Sequence, residues 1–168
     1  MDNPINLQKS DIFDFFIHHL NKIFAAKTHL LKRLPEILYE TYATELEEGI
    51  FETIKIVEQQ RERMKSIYEI LHCPVDDLST FNGLLGLIDD SFADIKTHKD
   101  NPELRDMSIL FYLSNIESME MASFQVLQLL AVKMKDDRIS RLIKENYDDA
   151  QADKTLMLLI TAQYLSNV

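Results

Sequence analysis

This chain is all-α in its sequence pattern: four long helices in a bundle, with one long crossover that carries an extra short helix. Apolar residues recur at alternating spacings of three and four along most of its 168 residues, which gathers them on one stripe of a helix. Three glycines and four prolines leave few breaks for long helices and disfavour a turn-rich β fold. The four long periodic segments fall into two pairs, and the stretch between the pairs has turn chemistry at both ends.

The first helix is predicted over about 10–34. Ser10 is a candidate N-cap and Asp11 supplies negative charge to the first turn. Its stripe reads Phe13, Phe16, Leu20, Ile23, Lys27, Leu30, Leu34, with a lysine at the middle. Pro35 ends or kinks it. The second helix is predicted over about 44–71, with the seam Ile50, Thr53, Val57, Gln60, Met64, Ile67, Leu71. His72, Cys73 and Pro74 close it.

The connection that follows begins with Pro74-Val75-Asp76-Asp77 and ends with Lys99-Asp100-Asn101-Pro102. Between these turns, Phe81, Leu84, Leu85, Ile88, Phe92 and Ile95 have helical spacing, so a short helix is expected over about 79–97 with Ser79 as cap. The run Asn82-Gly83-Leu84-Leu85-Gly86 lacks the strand, lysine and hydroxyl of a phosphate loop and reads instead as a place of close helix packing. The first two helices are about 35–40 Å long at 1.5 Å per residue. A connection of this size can travel back along that length and leave the second and fourth helices parallel. A bundle with one long crossover is the ferritin-like topology.

The fourth helix, about 102–135, starts with Asn101 as N-cap, Pro102 at the first helical position and Glu103 behind it. Its seam is Leu110, Leu113, Glu117, Glu120, Phe124, Leu127, Ala131, Met134, so two glutamates stand inside, one turn apart. The fifth helix, about 137–166, offers two seams. One is Ile143, Tyr147, Ala150, Lys154, Met157, Thr161, Tyr164; the other is Ile139, Leu142, Asn146, Asp149, Asp153, Leu156, Ile160. Periodicity alone does not choose between them. The methionines at 64, 107, 119, 121, 134 and 157 read as core filler.

Bulk properties narrow the function. The length suits a single domain, 1–168, with a sizeable core. A net charge of -10 offers no basic stripe for a nucleic-acid backbone. It fits a self-repelling cytoplasmic protein. No run of about 18 uncharged apolar residues is present, so no membrane partner is expected, and residues 1–10 lack a signal-peptide pattern. The single Cys73 excludes an intramolecular disulfide framework. Apolar residues such as Phe15, Phe51 and Phe92 either form a homodimer face or simply cover the bundle.

The sequence resembles the YciE/YciF-type ferritin-like proteins, which are bacterial, often stress-associated, and without an assigned biochemical role. The resemblance is carried by Phe24-Ala25-Ala26-Lys27-Thr28-His29-Leu30, Leu34-Pro35, Arg63-Met64 with Tyr68, Leu142 to Met157, and most strongly by Ile116-Glu117-Ser118-Met119-Glu120-Met121-Ala122-Ser123-Phe124. It covers most of the chain and implies a di-metal site of iron or manganese. It also implies a glutamate where this chain has Lys27 and a His-x-x-Glu-Thr run where it has Thr53, Ile56 and Val57. An acidic pair is implied where Asp149 and Ala150 stand, and a further carboxylate at Lys154. Of that ligand set only Glu117 and Glu120 are unchanged.

Buried charges are costly unless paired or metal-bound. A protonated lysine donates and cannot ligate a metal. The expected result is a vestigial site without cofactor: a buried cluster of Lys27, Gln60, Glu117, Glu120 and Lys154, with Thr53 satisfying remaining polar groups. Two alternatives stand beside it. In one, Lys154 turns to solvent by snorkelling and only Lys27 is inside; in the other, one cation is retained by Glu117, Glu120 and Asp149 or Asp153. The function favoured is thus a non-catalytic ferritin-like bundle protein; the alternative is a metal-binding di-iron-type protein or oxidase with a degenerate site.

Overall fold

The computed structural model describes residues 6–75 and 82–166. Its helices are α1 (Lys9–Leu38), α2 (Thr44–Leu71), α3 (Asn82–Thr97), α4 (Pro102–Met134) and α5 (Asp137–Ser166). No strand occurs among the described residues. Packing contacts run α1 to α2, α2 to α5, α5 to α4 and α4 to α1, so the four long helices form a closed ring around one axis. Hydrogen bonds fix their directions. Lys27 meets Glu120 and the Tyr42 amide meets Asp106, so α1 and α4 are antiparallel. Thr53 meets Asp153 and Gln60 meets Asn146, so α2 and α5 are antiparallel. Because α4 and α5 also run in opposite directions, α2 and α4 are parallel, as the long crossover requires. α3 lies within that crossover and packs on α1 and α4.

Helix ends follow local chemistry. The Asn101 side chain accepts from the Leu104 amide at 3.0 Å, with Pro102 at the first helical position. α2 and α4 both close on left-handed residues, His72 (φ 53) and Lys135 (φ 61). α1 differs from expectation at both ends. It begins at Lys9, so Gln8 and not Ser10 stands at the N-cap, and the Gln8 amide donates to Asp11 Oδ2 at 2.8 Å. It also continues through Pro35 to Leu38. Proline in a helix costs about 3 kcal/mol. Burial of Ile37 and Leu38, each worth roughly 1.5–3 kcal/mol, offsets that cost.

Three further expectations need correction. The buried positions of α5 are Ile139, Ile143, Asn146, Ala150, Asp153, Met157 and Ile160, which takes alternate members from each of the two candidate seams. Added Cβ atoms at Gly83 and Gly86 would meet nothing within 4 Å, so neither glycine permits close packing. That role falls to Gly49, whose Cβ would lie 2.7 Å from Ile160 Cδ1. Of the two settings open to Phe92, a homodimer face or cover for the bundle, its full burial excludes the first, and Met119, 41% exposed, is not core filler. Ser79, Phe81, Asp76 and Asp77 lie outside the described residues.

The apolar core is divided. One cluster holds Leu30, Leu34, Leu46, Val57, Phe92, Leu113 and Met157; the other holds Phe16, Phe24, Met64, Tyr68, Phe124 and Ile143. Between them, at mid-bundle, the inward positions are polar.

Candidate functional site

Each long helix contributes to this polar layer through its inward stripe. α1 supplies Lys27, α2 supplies Thr53 and Gln60, α4 supplies Glu117 and Glu120, and α5 supplies Asn146 and Asp153; all are buried. The Lys27 ammonium is fully enclosed and bonded to Glu120 Oε2. It also lies 5.9 Å from the centre of the Phe124 ring, whose face favours a cation.

One ammonium therefore faces three carboxyl groups, and protons make up much of the difference. Burial, and then the neighbouring Glu120 charge, push Glu117 well above the usual carboxyl range. Burial raises Asp153 to about 6, while the Thr53 hydroxyl and Lys27 hold it down. Thr53 Oγ1 lies 2.8 Å from Asp153 Oδ1 and donates to it. The contact between the two raises Glu117 and lowers Asp153, so a proton in this pair is favoured on Glu117. The layer thus sets a Lys27–Glu120 ion pair beside two interacting carboxyl groups, Glu117 and Asp153.

Gln60 and Asn146 form a second, neutral arrangement. Gln60 Nε2 donates to the Asn146 carbonyl at 3.0 Å, and Asn146 Nδ2 donates to the Gln60 carbonyl at 3.3 Å. Gln60 therefore joins α2 to α5 and does not serve the glutamates. Lys154 is a clear correction: it is only half-buried and forms no ion pair among the described residues. The α5 seam passes through Asp153, one position earlier, so a carboxylate points in and the lysine is turned aside. Asp149 is also outside the cluster, paired with Arg63 on the α2–α5 flank.

Asp153 was legible only as a residual ligand, and Asp106 was missed. Asp106 is fully buried and accepts from the Tyr42 amide at 3.0 Å and the Ala43 amide at 2.8 Å. Burial raises its carboxyl above the ordinary value. It ties the α1–α2 turn to α4, a long-range cap that no local pattern marks.

The fit to a metal can be judged from these residues. Glu117 Oε2, Glu120 Oε1 and Asp153 Oδ2 are buried without a hydrogen-bond partner, which leaves acceptor capacity. However, the Lys27 ammonium stands against Glu120, and α2 offers Thr53, Ile56, Val57 and Gln60 in place of carboxylate and imidazole. No group of three or more His, Cys, Asp or Glu side chains with metal-holding geometry exists among the described residues. The donor set does not fit a di-metal centre.

A family model described as "Domain of unknown function (DUF892)" matches residues 11–167. The chain belongs to that family. Protein YciF of Escherichia coli (strain K12) is 24% identical to it over 141 residues, 84% of each chain. The crystal structure of the E. coli stress protein YciF superposes with a TM-score of 0.86 at 20% identity, covering 94% of this chain and 98% of that one. The YcfI structure from Rhodopseudomonas palustris gives 0.79 at 20% identity, covering 94% and 96%. These likenesses establish the YciE/YciF-type family and the all-α bundle. No helix among the described residues is long and apolar enough to cross a membrane.

Proposed function

We propose that this chain is a non-catalytic bundle protein in which a buried polar layer stands where its family's resemblance implies a di-metal site. The observation that carries this is the enclosed Lys27 ammonium on Glu120. A fixed positive charge there would repel a metal cation and already neutralises one carboxylate. The Glu117–Asp153 pair supports the same reading, because a shared proton replaces a second cation. Iron and manganese are accordingly not assigned. The acidic charge and single cysteine support a cytoplasmic setting without a nucleic-acid partner. Association with stress is carried only by the resemblance to YciF.

Metal content is the test. Protein purified without chelator should hold iron, manganese and zinc far below one ion per chain, and iron(II) added without oxygen should not bind. A stoichiometric ion that is lost in Glu117→Gln and Glu120→Gln variants would overturn the proposal in favour of a metal-dependent protein.

A further inference from the structure

Away from the polar layer, a second concave site opens at the end of the bundle where α2 and α4 begin and α5 finishes. It is a cavity of about 330 Å³ whose walls include Tyr42, Glu45, Glu103, Ile160 and Tyr164. Three parts of the fold bring these residues together. Asp106 accepts from the Tyr42 and Ala43 amides and so holds the α1–α2 turn against α4. Glu45 and Glu103 stand in the first turns of α2 and α4. Tyr164 comes from the last turn of α5, and its hydroxyl donates to the Glu103 carbonyl at 3.4 Å. Ile160 is the buried apolar member of the lining.

Charge and shape limit what can enter. No basic side chain lines the cavity, and the nearby Arg105 guanidinium is bonded to the Glu40 carbonyl. Two helices start and two finish at this end of the bundle, so their dipoles oppose one another and the carboxylates set the sign. Burial, and then the charges of Asp106 and Glu103, raise the Tyr164 phenol above its ordinary value, as a negative field does. First-turn positions favour acidic residues on helical grounds alone, but that does not account for two phenol rings in the same opening. Tyr42 is 65% exposed there. A bare divalent ion is a poor occupant, because two carboxylates supply few of the six or so oxygens it takes and the rings and Ile160 would face its hydration shell.

We propose that this cavity binds a small organic cation of the alkylammonium class, with its charge toward Glu45 and Glu103 and its alkyl groups against Tyr42, Tyr164 and Ile160. Aromatic faces attract such cations, and the alkyl groups gain by leaving water. The net charge of -10 draws a cation toward the molecule from a distance.

Choline is the probe. Calorimetry should give a Kd of about 1 mM or tighter, and the amide resonances of Tyr42 and Ala43 should shift during the titration. The uncharged carbon analogue of choline, with a tert-butyl group in place of trimethylammonium, should bind at least about tenfold more weakly. Magnesium at equal concentration should not displace choline. Tyr42→Leu removes an exposed ring and keeps the backbone amide that Asp106 accepts from. It and Glu103→Gln should each weaken binding at least about fivefold with helical circular dichroism unchanged, while Tyr164→Phe should bind choline as the unaltered chain does. If a variant fails to fold, choline against its carbon analogue on the unaltered chain decides. No binding at about 20 mM, equal binding of the uncharged analogue, displacement by magnesium, or folded Tyr42→Leu and Glu103→Gln variants that bind undiminished would overturn the proposal.

Discussion

At the residue scale, the two inward glutamates of α4 do different work although they lie one turn apart. Glu120 is the partner of Lys27, whereas burial and the Glu120 charge push Glu117 well above the ordinary carboxyl range, toward its protonated form. A neutral amide is close in shape to a protonated carboxyl and keeps a donor for Asp153. Glu117→Gln should therefore change stability by less than about 1 kcal/mol near neutral pH, while Glu120→Gln, which strips the lysine of its counter-charge, should cost about 3 kcal/mol or more. Urea unfolding of the two variants checks this, and equal losses would contradict it. Lys27, Glu117 and Glu120 were legible because charged residues interrupted otherwise apolar stripes. Lys154 was misplaced for a complementary reason. Between Asn146 and Asp153 the one large apolar side chain of the fifth helix is Tyr147, which packs on the core from the flank, so periodicity marks the phase weakly and does not resolve a shift of one residue in the inward position.

At the element scale, the four long helices were legible because their seams persist over many turns, and the parallel setting of α2 and α4 followed from the size of the crossover. Boundaries were less legible where distant packing overrides local chemistry. Pro35 is a local stop signal, yet α1 continues because Ile37 and Leu38 have a core to enter. The α1–α2 turn is the clearest long-range case, since its amides at Tyr42 and Ala43 bond to Asp106 on α4. Removing that acceptor leaves two donors to find others. Asp106→Ala should destabilise by about 1–3 kcal/mol and speed hydrogen exchange at those two amides in particular. Unchanged exchange there would mean that the turn is held by something other than Asp106.

At the scale of the whole molecule, the polar layer divides the core into two apolar clusters and links folding to pH. Asp153, raised to about 6, and Glu117, raised well above its ordinary value, both bind protons more tightly in the folded chain. Their stabilising contribution is complete below the ordinary carboxyl range and is lost as pH rises through the folded values. Stability should therefore increase as pH falls from neutrality toward about 5, by about 1.4 kcal/mol per pH unit for each proton taken up. The trend reverses at lower pH, where carboxylates such as Asp136, held down by Arg138, lose their pairing. Urea midpoints across that range test the sign; a fall in stability between pH 7 and 5 would contradict it. The most direct test of whether Lys27 supplies the positive charge of the layer is a double-variant cycle in urea at neutral pH. Lys27→Leu alone should cost about 3–5 kcal/mol, because it leaves buried carboxylates without their cation. Adding Glu120→Leu should recover most of that loss, since a buried ion pair can often be replaced by apolar groups at little cost. A Lys27→Leu variant as stable as the unaltered chain, or one that the second substitution does not rescue, would show that no such ion pair holds the centre of the bundle.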